Sequence, residues 1–197
     1  MKRLILYLFF FITIASCKNG ARIDSGEIPM QSEIPAGQQE LFRQKDSLAT
    51  LLRKMSAERL DSNASAYWHI IQQGERMIPV LLACLTDTSP TSIYDDCKKG
   101  KLNVGEVSYF ALEELAEFPT YLITQTQYDL FENGCWDFYT YLYNDKNKGE
   151  YQKKATDFYT TYRKTNFQFQ KYTAKELTAS RKLYKIEGRL IWKNSSL

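Results

Sequence analysis

Apolar residues recur at helical spacing from residue 38 onward, and this pattern constrains the fold more than any other feature. One face of a first helix carries Leu41, Leu48, Leu52 and Met55. A stronger stripe further along the chain carries Val104, Val107, Ala111, Leu115 and Phe118. No convincing run of alternating apolar and polar residues indicates a sheet. The sequence therefore predicts an all-α domain over residues 38–197.

Helix stop and start signals divide this region. Asp61-Ser62-Asn63 precedes a short helix predicted over residues 65–73, and Gly74 ends it. Pro79 then fits the first turn of the next helix, where its missing N–H costs little. A polar stretch at residues 88–103 reads as an insertion. Two longer helices are predicted to end the chain, the first with Tyr151, Ala155, Phe158 and Tyr162 on one face, the second with Leu177, Tyr184 and Ile191.

Three segments resemble a HEAT or armadillo-like helical repeat: residues 66–74, residues 78–87 with an Ile-Pro start and an Asp end, and residues 104–116 with an Ala-Leu core. The resemblance spans roughly residues 65–118. It implies a compact bundle of HEAT-like antiparallel helix pairs, and it implies protein binding, because proteins of this family mostly bind other proteins. The polar insertion at 88–103 and the aromatic C-terminal third depart from the pattern.

The N-terminus has the layout of a secretory signal peptide. Lys2 and Arg3 precede an apolar run of 12 residues, and Ser16-Cys17 follows. The run is shorter than the roughly 20 residues that cross a bilayer. Residues 14–17, Ile-Ala-Ser-Cys, resemble a bacterial lipobox, which implies cleavage before Cys17 and lipid on its thiol. A plain signal peptide with an incidental cysteine, or an uncleaved anchor, remains the alternative.

These signals predict the organisation of the whole chain. Residues 1–16 are predicted to be a lipoprotein signal peptide, residues 17–37 a lipidated cysteine and flexible tether, and residues 38–197 the folded domain. Lys18 follows Cys17 where a retention signal would have Asp. The expected location is therefore the cell envelope, lipid-anchored in the outer membrane and facing the periplasm.

Charge is unevenly distributed. The chain has 26 basic and 23 acidic residues, a net charge of +3, which does not favour nucleic-acid binding. Residues 17–144 carry a net charge of −7 and residues 145–197 a net charge of +8. We expect the basic third to pack on the acidic part of its own domain; the alternative is that it meets lipid or an acidic partner.

Little in the sequence indicates catalysis or metal binding. His69 is the single histidine, and the cysteines after Cys17 are Cys84, Cys97 and Cys135, without the close spacing of a zinc site. A Cys97–Cys135 disulfide is possible, whereas Cys84 lies in an apolar helix and is expected to be buried. Nucleophile-elbow, metalloprotease and phosphate-loop motifs do not occur. No cofactor, metal or catalytic residue is predicted, although an enzyme with an unrecognised carboxylate site stays open.

One helix face suggests a binding site. Glu106, Glu113 and Glu117 fall within a narrow arc opposite the apolar face of the 104–118 helix, and Phe110 lies among them. Phe110 is interpreted as an anchor for a protein partner, rimmed by negative charge. The alternative is that a neighbouring helix or the 88–103 insertion covers it.

The sequence thus predicts a membrane-tethered envelope lipoprotein with a non-catalytic protein-interaction domain. One form of this role is an inhibitor, such as an immunity protein. An envelope assembly or structural lipoprotein is the alternative role.

Overall fold

Helices and short strands alternate along the chain. The computed structural model describes residues 36–54, 59–60, 65–131 and 134–193. In these ranges the helices are α1 (Ala36–Arg53), α2 (Ser65–Gln72), α3 (Ile78–Cys84), α4 (Val104–Leu115), α5 (Thr120–Thr124), α6 (Asp137–Leu142), α7 (Asp145–Tyr162) and α8 (Ala179–Leu183). The strands are β1 (Pro90–Asp95), β2 (Gly100–Asn103), β3 (Ala116–Glu117), β4 (Phe167–Lys171) and β5 (Gly188–Trp192).

The prediction of an all-α domain is wrong. The described residues are 55% helical and 17% strand, so a bundle of HEAT-like antiparallel helix pairs does not account for the fold. They form a two-stranded sheet, β1-β2, and a three-stranded sheet of order β3-β5-β4. No strand is longer than six residues, and β3 pairs with β5 across more than 70 residues of sequence, so the local strand pattern is weak.

The polar insertion at 88–103 forms the β1-β2 hairpin. Thr91 and Ile93 point inward, while Pro90 and Tyr94 are exposed. The Thr91 hydroxyl donates a hydrogen bond of 2.8 Å to the main-chain oxygen of Leu102, which joins the two strands inside the core. This inward-outward alternation is the strand signal that the surrounding polar residues obscured.

The prediction of one long helix with Leu177, Tyr184 and Ile191 on one face is also wrong, because β4, α8 and β5 form that region. β5 pairs antiparallel with β4 and parallel with β3, the short strand that directly follows α4. A Cβ at Gly188 would collide with the main chain of Gln170, so glycine permits the close approach of β5 to β4. The rings of Phe158, Phe167 and Trp192 pack together behind this pairing, which ties the end of the chain to the end of α4.

Helix α4 lies at the centre of the domain and positions the candidate site. Its apolar residues Val104, Val107 and Ala111 are buried as the periodicity predicts, and it contacts α1, α2 and α3. The three segments that resemble a helical repeat form α2, α3 and α4, with Pro79 in the first turn of α3 as expected. The resemblance itself stays a prediction.

The predicted anchor lies outside the described residues. This applies to the signal peptide at 1–16, to Cys17 and to the tether as far as residue 35; α1 already begins at Ala36. No helix in the part of the chain that the structure describes is both long and apolar enough to cross a membrane.

Candidate functional site

The N-terminus of α4 is closed by a reciprocal cap. The Asn103 side chain accepts a hydrogen bond of 2.9 Å from the main-chain N–H of Glu106, and Glu106 Oε2 accepts one of 2.8 Å from the N–H of Asn103. This capping box satisfies two N–H groups that a helix start otherwise leaves unpaired. Glu106 therefore faces the helix start rather than the solvent.

Two lysines complete the burial of Glu106. Lys148 Nζ on α7 lies 3.1 Å from Oε1, and Lys98 Nζ lies 2.6 Å from Oε2. Glu106 is 0% exposed and Lys148 1% exposed. Asp145 adds a second carboxylate at 2.9 Å from Lys148 Nζ. The expectation that Glu106 belongs to a charged rim for a partner is thus corrected: the residue is enclosed in a structural ion-pair cluster.

The other acidic side chains of this face pair mostly with the basic C-terminal third. The pairs are Glu114 with Arg181 at 2.8 Å, Glu117 with Arg189 at 3.0 Å and, from the turn before α3, Glu75 with Arg163 at 2.6 Å. The Arg181–Glu114 pair is bidentate and half-buried. The prediction that residues 145–197 pack on their own acidic body is confirmed. Glu117 is exposed, but its charge is already balanced.

Glu113 is the exception on α4. The hydroxyl of Tyr109, one turn earlier, donates a hydrogen bond of 2.6 Å to Oε1 of Glu113. Oε2 accepts no hydrogen bond, and the carboxylate forms no ion pair, with any residue the structure describes. Burial raises the pKa of the Glu113 carboxyl to about 7; the Tyr109 hydrogen bond opposes this shift, and the charge of Glu114 adds to it.

Two adjoining cavities, of about 560 Å³ and about 430 Å³, meet at Glu113 and Arg189, which line both. We call the pair the Glu113 cleft. Aromatic rings and charged side chains together line the larger cavity; the rings are Tyr67, Trp68, Phe110 and Tyr139, and the charged residues are Glu113, Glu114, Arg181 and Arg189. Its size falls in the range of ligand-binding pockets.

Phe110 has features of both interpretations, the covered aromatic residue and the exposed anchor. Its ring centroid lies 5.1 Å from that of Tyr139 on α6, so a neighbouring helix covers part of it. The ring remains partly exposed and lines the larger cavity beside Glu113. The structure therefore brings Phe110 and Glu113 into one cavity, places Glu117 in the smaller one, and removes Glu106 to the core.

Sequence reasoning missed the residues that other elements bring to the cleft. Trp68, Tyr139 and Arg189 come from α2, α6 and β5, and no local pattern groups them. Tyr109 and Glu113 stand four residues apart on a helix, and that spacing could have indicated their hydrogen bond. The buried Trp68 Nε1 and Tyr151 Oη have no hydrogen-bond partner among the described residues, and each residue lines one of the two cavities.

The cysteines resolve into one disulfide and one buried thiol within the described residues. Cys97 and Cys135 form a disulfide with a Cα–Cα distance of 5.5 Å, which settles a pairing that the sequence left open. Cys84 is fully buried, as predicted, and burial raises the pKa of its thiol to about 12. His69 is exposed, 3.3 Å from Gln72. The described part of the chain contains no group of three residues able to hold a metal ion.

The other carboxylates beside Glu113 on α4 are engaged in ion pairs. A two-carboxylate mechanism needs a second available acid or base opposite the first. Glu114 and Glu117, the neighbouring carboxylates on this face, are held by arginines. No protein-family model matches the chain, and neither a curated protein nor a solved structure is significantly similar to it.

Proposed function

We propose that this protein is a lipid-anchored domain of the cell envelope that binds a protein partner through the Glu113 cleft without catalysing a reaction. The observation that carries the proposal is that Phe110 and the unpaired Glu113 line the same cavity. Partly exposed aromatic residues beside a pocket are typical of the few positions that supply most of the energy of an interface.

Two features support the extracytoplasmic location. The Cys97–Cys135 bond belongs to the kind of disulfide that persists in the periplasm and outside the cell, and is rare in the cytosol. The signal-like N-terminus and the lipobox-like residues before Cys17 independently indicate export. Several acyl chains on Cys17 would anchor the protein stably, since each buried CH₂ contributes about 0.8 kcal/mol.

The proposal for the membrane is tested on Cys17. Intact-mass measurement of the protein from the membrane fraction is expected to show a chain that begins at Cys17 and carries acyl groups. Cys17→Ala should leave the protein unmodified and release it from the membrane. Equal membrane retention of this variant would contradict the lipid anchor and leave the binding proposal in place.

The proposal for the cleft is tested by crosslinked pull-down of the full chain from its own cells. Phe110→Ala is expected to weaken partner recovery by about thirtyfold, which corresponds to roughly 2 kcal/mol at an interface anchor. Because Phe110 is only partly buried, its loss should cost less stability than the roughly 3–5 kcal/mol of a fully buried phenylalanine.

Phe169→Ala is the matched control, because Phe169 on β4 is 59% exposed and lies outside the cleft. It should recover the partner as the wild type does. Equal recovery by the Phe110→Ala and Phe169→Ala proteins would refute the binding role of the cleft. The identity of the recovered partner separates the two roles, since a toxin indicates an inhibitor and an outer-membrane complex indicates an assembly protein.

A further inference from the structure

Glu113 is the unbalanced charge in a region where acidic side chains are otherwise paired. Glu106 has Lys148 and Lys98, while Glu114 and Glu117 have arginines from the C-terminal third. No described residue forms an ion pair with the partly buried Glu113 carboxylate, although the charge of Arg189 lies close enough to lower its pKa. A partly buried carboxylate is stabilised by an opposite charge, so Glu113 itself is complementary to a cation from outside, while the two arginines of the same cavity are paired with Glu114 and Glu117.

The surroundings of Glu113 favour a cation carried on an apolar stem. Phe110 and Tyr139, whose rings are in contact, line the larger cavity together with Glu113, and so does Trp68. Aromatic faces attract an ammonium group, and their apolar surface packs against methylene groups. The guanidinium of Arg189 donates to the carboxylate of Glu117 at 3.0 Å and to the main-chain oxygen of Glu113 at 3.4 Å, so it leaves the Glu113 carboxylate without an ion pair.

The hydrogen bonding of Glu113 distinguishes lysine from arginine. Arginine binds a carboxylate best when both oxygens are available to its planar fork. Tyr109 already donates to Oε1 at 2.6 Å, so a single oxygen, Oε2, is left for a ligand. An ammonium group needs only one such acceptor, because it acts as a point charge.

We propose that the protein partner inserts a lysine side chain into the larger cavity, where its ammonium group pairs with Oε2 of Glu113 and its stem packs on Phe110 and Tyr139. This inference rests on the proposed function and names the residue type that the partner presents. A lysine at this point would also explain why Glu113 has no ion-pair partner among the described residues of the domain itself.

Binding of a cation competes with binding of a proton at Glu113. Burial raises the pKa of this carboxyl to about 7, so in the unbound protein the Glu113 carboxyl is partly protonated at neutral pH. Partner affinity should therefore rise between pH 6 and pH 8, and Glu113→Gln should abolish that rise. The other charged groups near Glu113 are Glu114 and Glu117, which are paired with arginines, and Arg189, whose charge lowers the pKa of Glu113. The hydroxyls of four tyrosines also interact with it, and burial raises the pKa of each: Tyr67, Tyr109, Tyr139 and Tyr151.

The test is zero-length crosslinking of the full chain in its native envelope with a water-soluble carbodiimide. This reagent joins a carboxylate to an amine only where the two are in contact. Mass spectrometry is expected to find the peptide containing Glu113 joined to a lysine of the partner. Glu113→Gln should remove this crosslink and weaken partner recovery about tenfold, whereas the control Glu150→Gln, at an exposed carboxylate on α7 outside the cleft, should keep both.

The outcomes separate this inference from the function on which it rests. If Phe110→Ala loses the partner but wild-type Glu113 forms no crosslink to lysine, the cleft binds a protein and the lysine assignment is wrong. Attachment of a small amine instead of a lysine peptide would overturn the protein source of the cation. Undiminished partner recovery by Phe110→Ala would refute the proposed function itself.

Discussion

Lys148 on α7 and Glu106 at the start of α4 form a buried ion pair of 3.1 Å between residues 42 positions apart in the sequence. The pair joins the last long helix to the central helix, and Lys98 extends it to the turn of the β1-β2 hairpin. Both side chains are almost fully buried, so water cannot solvate either charge if its partner is removed. The pair therefore defines how three distant segments fit together.

We expect Glu106→Gln to lower the free energy of unfolding by about 3 kcal/mol, because it removes the buried counter-charge of Lys148 and leaves only the exposed Asp145. Chemical denaturation measures the change. Glu150→Gln is the matched control: its ion pair with Lys154 is exposed and spans one helical turn, so its loss should cost about 0.5 kcal/mol or less.

A double variant, Glu106→Gln with Lys148→Met, should recover part of the lost stability, because it removes the unpaired charge as well. A single variant Glu106→Gln no less stable than Glu150→Gln would show that the buried pair does not hold these segments together.

Glu113 should make stability depend on pH in a defined direction. Its carboxyl is neutral in the folded and unfolded states below about pH 4.5, and the pKa of about 7 in the folded state opposes ionisation. The stability associated with the neutral carboxyl is therefore lost as pH rises toward and through 7. A shift of one pKa unit corresponds to roughly 1.4 kcal/mol of stability. Because the Glu113 side chain is only partly buried, we expect a smaller total loss than the whole shift implies, about 1–2 kcal/mol.

Thermal or chemical unfolding of the wild type and of Glu113→Gln at pH 5 and pH 8 tests this. The free energy of unfolding of Glu113→Gln, relative to that of the wild type, should rise by about 1–2 kcal/mol from pH 5 to pH 8. Glu176→Gln serves as a contrast, because hydrogen bonds from Thr173 lower the pKa of Glu176, so its carboxylate favours folding at high pH. A pH profile of Glu113→Gln parallel to that of the wild type would contradict the assignment.

Gly105 should tolerate no side chain. A Cβ there would collide with the main-chain oxygen of Leu85, and the Gly105 N–H donates a hydrogen bond of 2.8 Å to the oxygen of Asp87. We expect Gly105→Ala to destabilise the domain by about 1–3 kcal/mol through overpacking between α3 and α4.

Gly149→Ala is the control, because Gly149 is exposed within α7 and nothing lies within 4 Å of the added Cβ. This change should stabilise the protein by about 0.5–1 kcal/mol through the higher helix propensity of alanine. Denaturation curves of the two variants should thus shift in opposite directions, and a shift in the same direction would argue against the close α3-α4 packing.

The Cys97–Cys135 disulfide should contribute strongly to stability. It closes a loop with a sequence separation of 38 residues. The loop-closure relation gives about 4 kcal/mol for such a loop, and replacement of both cysteines by serine should approach this loss. A non-reducing peptide map should show the linked peptides, and Cys84 should react with alkylating reagents only after unfolding. Ready alkylation of Cys97 in the native, unreduced protein would contradict the bond.

The sequence by itself determined the elements that depend on neighbours a few residues away. The apolar spacing and the stop signals predicted α2, α3, α4 and α7, because a helix is formed by contacts within one or two turns. The same spacing placed Phe110 and Glu113 on one side of α4 and predicted a buried Cys84. The location and the lipid anchor remain predictions made from the residues around Cys17.

Only the tertiary structure decided the strands and the state of each charge. β5 pairs with β4, which is near it in the sequence, and with β3, which is more than 70 residues away. Strands of five residues or fewer have too weak a local pattern to predict this pairing. Glu106 and Glu113 look alike on a helical wheel. Glu106 is buried because Lys148 reaches it from α7, and Glu113 is left unpaired because Arg181 and Arg189 bind its neighbours. Charge pairing across a fold depends on distances in space, which a linear spacing of residues does not contain.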